Sequence, residues 1–181
     1  MTMRLLTLAA LCAMTATPIL AQGRTTNSVS IAGGIAAPTG NLGDATDLGY
    51  NVALGLNVGG PKVPIGLRFE GGYDGFGQKS GNGDVRLLNA TANAVFNIGT
   101  QLNSPYLIGG LGFYNERVTA GNGSLRIESS RNAAGINVGG GLRFPLSGLS
   151  TFFEARYHLM FNDQNGGSNT QFIPITFGIM F

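Results

Sequence analysis

From about residue 28 onward, apolar and polar residues alternate with a period of two, and the alternation breaks at clusters of Gly, Asn, Asp, Ser and Pro. Successive side chains of a strand point to opposite faces, so each run predicts a half-buried β-strand. Eight such runs are present. The first, 28–36, places Val29, Ile31 and Ile35 on one face. The second, about 48–58, is the cleanest, with Tyr50, Val52, Leu54, Leu56 and Val58 against Asn51, Ala53, Gly55 and Asn57. The third, about 64–75, sets Ile65, Leu67, Phe69 and Tyr73 against Gly66, Arg68, Glu70 and Asp74. The fourth, about 84–98, sets Leu88, the alanines at 90, 92 and 94, and Phe96 against Asn89, Thr91, Asn93 and Asn97.

The fifth run, about 104–115, is apolar on both faces: Tyr106, Ile108 and Tyr114 alternate with Leu107, Leu111 and Phe113. Its facing stays open at this point. The sixth, about 132–144, sets Ala134, Ile136, Val138, Leu142 and Phe144 against Asn137, Gly139, Gly141 and Arg143. The seventh, about 150–161, sets Phe153, Ala155, Tyr157, Leu159 and Phe161 against Phe152, Glu154, Arg156 and His158. The eighth, "QFIPITFGIMF", alternates up to Phe181. Short connections follow runs two, four and six ("GGPKV", "IGTQLN", "PLSGL"), and longer polar ones follow runs one, three, five and seven. Short turns at one end and long loops at the other predict an all-β fold: an eight-stranded antiparallel up-and-down transmembrane β-barrel. An even strand number brings both ends of the barrel to the short-turn side.

Alternation alone does not say which face is inside. A soluble barrel fills its interior with apolar side chains; a membrane barrel inverts this. Three features favour the inverted form. The polar faces are rich in small residues, which suit a narrow lumen. The runs match the ~9–11 residues needed to cross a bilayer at a tilt of ~45°. Aromatic residues on the apolar faces collect near the run ends: Tyr50, Tyr73, Tyr114 and Phe161 toward the long loops, and Phe96, Phe144, Phe153 and Phe181 toward the short turns. Two aromatic bands with aliphatic residues between them are the girdles of the two membrane interfaces.

The first residues, "MTMRLLTLAALCAMTATPILAQG", place Arg4 before an apolar stretch from Leu5 to Met14, with Pro18 and a small Ala21 following. This layout predicts a signal peptide over 1–21 and a barrel domain over 22–181. The stretch is far shorter than the ~20 residues of a membrane-spanning helix. Cleavage leaves 160 residues, removes the single cysteine, Cys12, and with Arg4 lowers the formal net charge from +2 to +1. So weak a charge gives no reason to expect nucleic acid. All 30 glycines lie after residue 21, and within strands they predict bends or close approach of neighbouring groups.

The exported layout, the stretch "SIAGGIAAPTGNLGDATDLGYNVALGL" and the final "ITFGIMF" resemble the small eight-stranded outer-membrane barrels, the OmpA/OmpX/OmpW-like group, across the predicted mature chain. The resemblance implies residence in the cell outer membrane of a Gram-negative-type envelope. It also implies contact with outer-membrane lipid and lipopolysaccharide, and reading of the Phe181 strand by the barrel assembly machinery. The chain departs from some members in having no peptidoglycan-binding domain after the barrel, and it has no tryptophan. A monomer is expected.

On this reading Arg68, Glu70, Arg143, Glu154 and Arg156 point into the lumen, with His158 above them. Buried charges need partners, and Arg offers a planar fork to a carboxylate. The expected arrangement is an electrostatic plug, since an eight-stranded lumen is just wide enough for side chains; a gate across a narrow pore is the alternative. His158 shares a face with Glu154, but no serine lies beside it to serve as a nucleophile, so no catalytic residue is expected. One histidine and few carboxylates give no metal or cofactor site. Lys79, Arg86, Arg126 and Arg131 read as ordinary solvated loop charges, with contact to lipopolysaccharide phosphates at the outer leaflet as the alternative. The functional expectation is a non-catalytic structural or surface-interaction protein. The alternatives are a passive channel of the OmpW type, a lipid A-modifying enzyme and a soluble lipocalin-like binder.

Overall fold

A computed structural model describes residues 27–59, 64–79, 83–98, 104–121, 127–146, 149–162 and 168–181. The predicted signal segment 1–21, most of the short turns and Arg126 lie outside the described residues. The strands are β1 (Asn27–Thr39), β2 (Gly49–Val58), β3 (Ile65–Gly77), β4 (Gly83–Asn97), β5 (Ser104–Ala120), β6 (Ile127–Leu146), β7 (Leu149–Met160) and β8 (Thr170–Met180). Each pairs antiparallel with its neighbours in chain order, and β1 pairs with β8 to close the barrel. Phe181 extends that seam: its N–H donates to the Val29 carbonyl at 2.9 Å, and its carbonyl accepts from Val29 N–H at 2.8 Å.

The polarity is inverted, as the runs predicted. Leu67 and Phe69 are 50% and 49% exposed, whereas Arg68 between them is fully buried. The outer face carries Leu54, Leu111, Val138 and Phe177, all exposed. Closure removes every free strand edge from the hydrocarbon zone, so lipid meets side chains and no unpaired backbone. The soluble-binder alternative, which would turn these faces inward, is thereby excluded.

Three sequence expectations need correction. Tyr114 is not a girdle residue: it is buried inside the barrel, and Leu111 and Phe113 face outward. The two apolar faces of β5 hid this, because one packs the lumen and the other meets lipid. Second, β5 and β6 run well past the predicted 115 and 132, with Glu116 opposite Arg131 and Ala120 opposite Ile127. That hairpin stands above the lipid, so it has no apolar face and no period to read. Third, the loop after β1 contains a short helix, α1 (Gly40–Ala45), too brief to show a helical period. Its Leu42 is buried in the outer mouth of the barrel.

The lumen is also bulkier than its small-residue faces suggest. Arg68, Tyr106, Tyr114, Phe76, Phe152 and Phe172 are all fully buried. Glycines on the same and on neighbouring strands make the room. A Cβ at Gly112 would stand 2.9 Å from the Tyr114 ring and one at Gly135 would stand 2.8 Å from it. A Cβ at Gly178 would collide with the Phe152 ring.

Candidate functional site

The interior charges meet across the barrel. In a closed ring of eight strands β3 and β7 are diametrically opposed, and both run from the turn end toward the loop end. The sequence on β3 is Arg68-Phe69-Glu70; on β7 it is Glu154-Ala155-Arg156. Inward positions are two apart, so at each level an arginine faces a glutamate. Arg68 Nη1 lies 2.7 Å from Glu154 Oε2, and Arg156 Nη2 pairs with Glu70 Oε1. The rungs are cross-linked: Arg156 Nε is 2.8 Å from Glu154 Oε1, and Arg68 Nη1 is 3.8 Å from Glu70 Oε2. Two cations and two anions form one closed, neutral crosspiece.

Neutral groups meet part of its edge, as buried charge requires, while Arg68 Nη2 and Arg156 Nη1 make no hydrogen bond among the described residues. Arg68 Nε donates to Asn57 Oδ1 at 2.9 Å, and Tyr106 O–H donates to Glu154 Oε2 at 2.5 Å. The Arg68 guanidinium lies 5.1 Å from the Phe152 ring centre, a cation–π distance. An amide chain continues along the wall, with Asn137 Nδ2 donating to Asn93 Oδ1 at 2.8 Å and Asn93 Nδ2 to Thr91 Oγ1 at 2.9 Å.

The other predicted members are inside but outside the quartet. Arg143 sits toward the turn end, where its Nη1 donates to Asn97 Oδ1 at 3.1 Å and its guanidinium lies 5.1 Å from the Tyr106 ring centre. His158 sits above, stacked on Phe172 at 4.8 Å between ring centres. Its Nδ1 shares a hydrogen bond of 2.8 Å with the Tyr114 hydroxyl. Asp74 belongs to the site, and its parity with Glu70 on β3 already marked it as inward. It accepts from Asn51 Nδ2 at 2.6 Å and from Asn89 Nδ2 at 3.0 Å. Tyr106 and Phe152 also belong to it; their role depends on contacts across the lumen. Among the described residues the buried charges are then three arginines and three carboxylates, a neutral set.

Apolar layers lie on either side. Toward the loops, Leu42 of α1 packs with Phe76, Leu87, Tyr114, Met160 and Phe172. Toward the turns, Val95, Tyr106, Phe152 and Met180 pack together. Among the described residues no group of three or more His, Cys, Asp or Glu side chains could hold a metal ion.

This architecture is that of an outer-membrane barrel. The chain matches the family described as outer membrane protein beta-barrel domain over residues 4–181, and it belongs to that family. It is a protein of the cell outer membrane. Similar solved structures carry the same fold. Neisserial surface protein A, NspA, is 19% identical, with a TM-score of 0.67 over 88% of this chain and 98% of that one. A major outer membrane protein from Thermus thermophilus is 13% identical, with a TM-score of 0.57 over 88% and 99%. The N-terminal barrel domain of Pseudomonas aeruginosa OprF is 16% identical, with a TM-score of 0.52 over 87% and 100%. No curated protein matches the chain.

Proposed function

We propose that this is a non-catalytic outer-membrane protein with a closed lumen, acting as a structural or surface-interaction element through its extracellular loops. The carrying observation is the crosspiece of Arg68, Glu70, Glu154 and Arg156, which ties opposite walls together between two apolar layers. Ion passage would require all four charges to part while buried, at the desolvation cost of each separated charge. The passive-channel alternative drew on the two apolar faces of the fifth run. Its inward residues, Tyr106, Ile108 and Tyr114, are fully buried and occupy lumen space, so that hint gives the channel no support. The enzyme alternative needs a nucleophile at His158, whose ring instead contacts Tyr114 and Phe172. Phe181 extends the closing seam and presents its ring outward, which suits the assembly role that the family resemblance implies. Monomeric barrels fit the full closure of the sheet.

The test is planar-bilayer conductance of the refolded protein, beside a variant carrying Glu70→Gln and Glu154→Gln. The closed-lumen reading expects no discrete openings in wild type. Steady wild-type openings whose size or ion preference changes in the variant would make the crosspiece a gate and overturn it.

A further inference from the structure

The lumen charges balance in sum but not level by level. Arg143 points inward on β6, opposite Ser104 of β5 and Phe152 of β7. It stands one inward position nearer the turns than Gly141, the residue opposite Glu154. It is only 6% exposed. Its Nη1 donates to Asn97 Oδ1 at 3.1 Å, and the Tyr106 ring lies beside the cation. Its Nε has no hydrogen-bond partner among the described residues. The carboxylates of the crosspiece are held by Arg68 and Arg156, and among the described residues none pairs with Arg143.

The rest of the chain offers it no anion either. Of the nine Asp and Glu residues, Glu70 and Glu154 belong to the crosspiece. Asp74 lies beyond Glu70 toward the loops and accepts from Asn51 and Asn89. Asp84 holds Arg86 at 2.5 Å, and Glu116 accepts from Arg131 at 3.1 Å. Arg86 and Arg131, read from sequence as loop charges, are thus strand residues paired near the loop end. Asp44 lies in α1 and Asp47 just after it, Glu128 lies in the β5–β6 hairpin, and Asp163 follows β7 on the long-loop side. The short connections "GGPKV", "IGTQLN" and "PLSGL" contain no acidic residue. The turn end of the lumen therefore carries a buried guanidinium and no side-chain carboxylate to meet it, although buried charge requires a partner.

The short turns of an outer-membrane barrel lie on the periplasmic side, so Arg143 stands in the periplasmic mouth. The inward positions nearest the turns include Ser28, Asn97, Ser104 and Ser150, all small or polar, and Ser28 and Ser150 are half-buried. Farther in, Val95, Tyr106, Phe152 and Met180 form an apolar floor, with the crosspiece beyond it. We propose that this mouth is a binding site for a single carboxylate group, built on Arg143. The carboxylate oxygens accept from Nε and Nη2, the edge by which a guanidinium takes a planar oxyanion side-on. Nη1 stays on Asn97, and the Tyr106 ring backs the cation. The apolar floor limits entry to an end group, so the ligand is a small free carboxylate or the terminal carboxylate of a peptide; both present the same planar group. The site lies on the turn side of the crosspiece, so its occupancy is independent of whether the lumen conducts.

The test is a titration of the refolded barrel in detergent micelles at neutral pH, followed by nitrogen–proton correlation NMR of the arginine Nε–H groups and the Asn97 side-chain amide. The probes are sodium acetate, acetyl-dialanine, acetyl-dialanine amide and inorganic phosphate, with sodium chloride at matched ionic strength as control. Folding of each variant is checked by heat-modifiable mobility on gels. Both carboxylates should give a saturable shift of one Nε–H signal and of the Asn97 amide, and the peptide amide and chloride should give none. Arg143→Gln should abolish both shifts. Arg143→Lys keeps the charge but has no planar fork, and it should weaken acetate binding, read at Asn97, by at least about tenfold; it also serves as the control if the Gln variant does not fold. Acetyl-dialanine binding at least about tenfold tighter than acetate would uphold the site as one for a peptide end, and equal affinity would uphold it as one for a small free carboxylate. Absence of a saturable shift with either carboxylate would overturn the proposal. So would an equal shift with chloride, phosphate binding as tightly as acetate, a shift that survives Arg143→Gln, or undiminished affinity in Arg143→Lys.

Discussion

Replacing Glu154 with Gln probes the crosspiece most directly. The carboxylate is buried and holds two guanidiniums, Arg68 at 2.7 Å and Arg156 at 2.8 Å. Gln keeps the shape and removes the charge, so the neutral quartet becomes a cationic one. Arg68 then keeps Asn57 and a neutral amide oxygen, and its remaining anion is the distant Glu70 at 3.8 Å. Removing one partner of a buried ion pair costs ~3–5 kcal/mol, because the survivor stays buried without compensation. Arg68→Gln should cost a similar amount. The double variant restores neutrality and leaves the Arg156–Glu70 pair in place, so it should be less destabilised than the sum by ~1–3 kcal/mol. The assay is reversible urea unfolding of all four proteins in lipid vesicles, closed as a double-mutant cycle. A Glu154→Gln cost below ~0.5 kcal/mol, the range of an ordinary surface change, would refute the reasoning. Strict additivity would refute it as well, since the residues would then not be coupled.

Other expectations are simpler. Leu54→Arg or Val138→Arg places a cation on the exposed outer wall and should cost ~2–4 kcal/mol near mid-membrane depth; tolerance of either would mean that these faces do not meet lipid. Gly178→Ala should be destabilised by ~1–3 kcal/mol through overpacking against Phe152, and Phe152→Leu should recover part of that loss. No recovery would place the strain elsewhere. Phe181→Ser keeps its backbone pairing to Val29 but loses the outward ring, so the yield of folded barrel inserted in outer membranes should fall. Undiminished insertion would argue against an assembly role for that ring.

Much of the site was legible because a strand's period is two. Once Leu67 and Phe69 are assigned to lipid, Arg68 and Glu70 have no choice but the lumen, and the same parity fixes Glu154, Arg156 and His158. Even the pairing was latent in the chain: Arg-x-Glu on strand three and Glu-x-Arg on strand seven complement each other if those strands face one another in the same direction. What parity cannot supply is register around the ring. The separation of Arg143 from the quartet and the union of Tyr106 with Glu154 depend on which residue stands opposite which across several ladders.

Local alternation and loop length were enough for the strand pattern and the antiparallel barrel class, and the small polar faces and aromatic bands then turned the apolar faces of the strands other than β5 to lipid and the charges inward. The tertiary structure alone decided the facing of β5, the reach of the β5–β6 hairpin above the membrane, the capping of the outer mouth by α1, and the glycine spaces that admit Tyr114 and Phe152. Alternation records a contrast between two environments, and it fails where both faces are apolar, where both meet water, where a helix is too short to show a period, or where the space left by a glycine is filled by a distant ring.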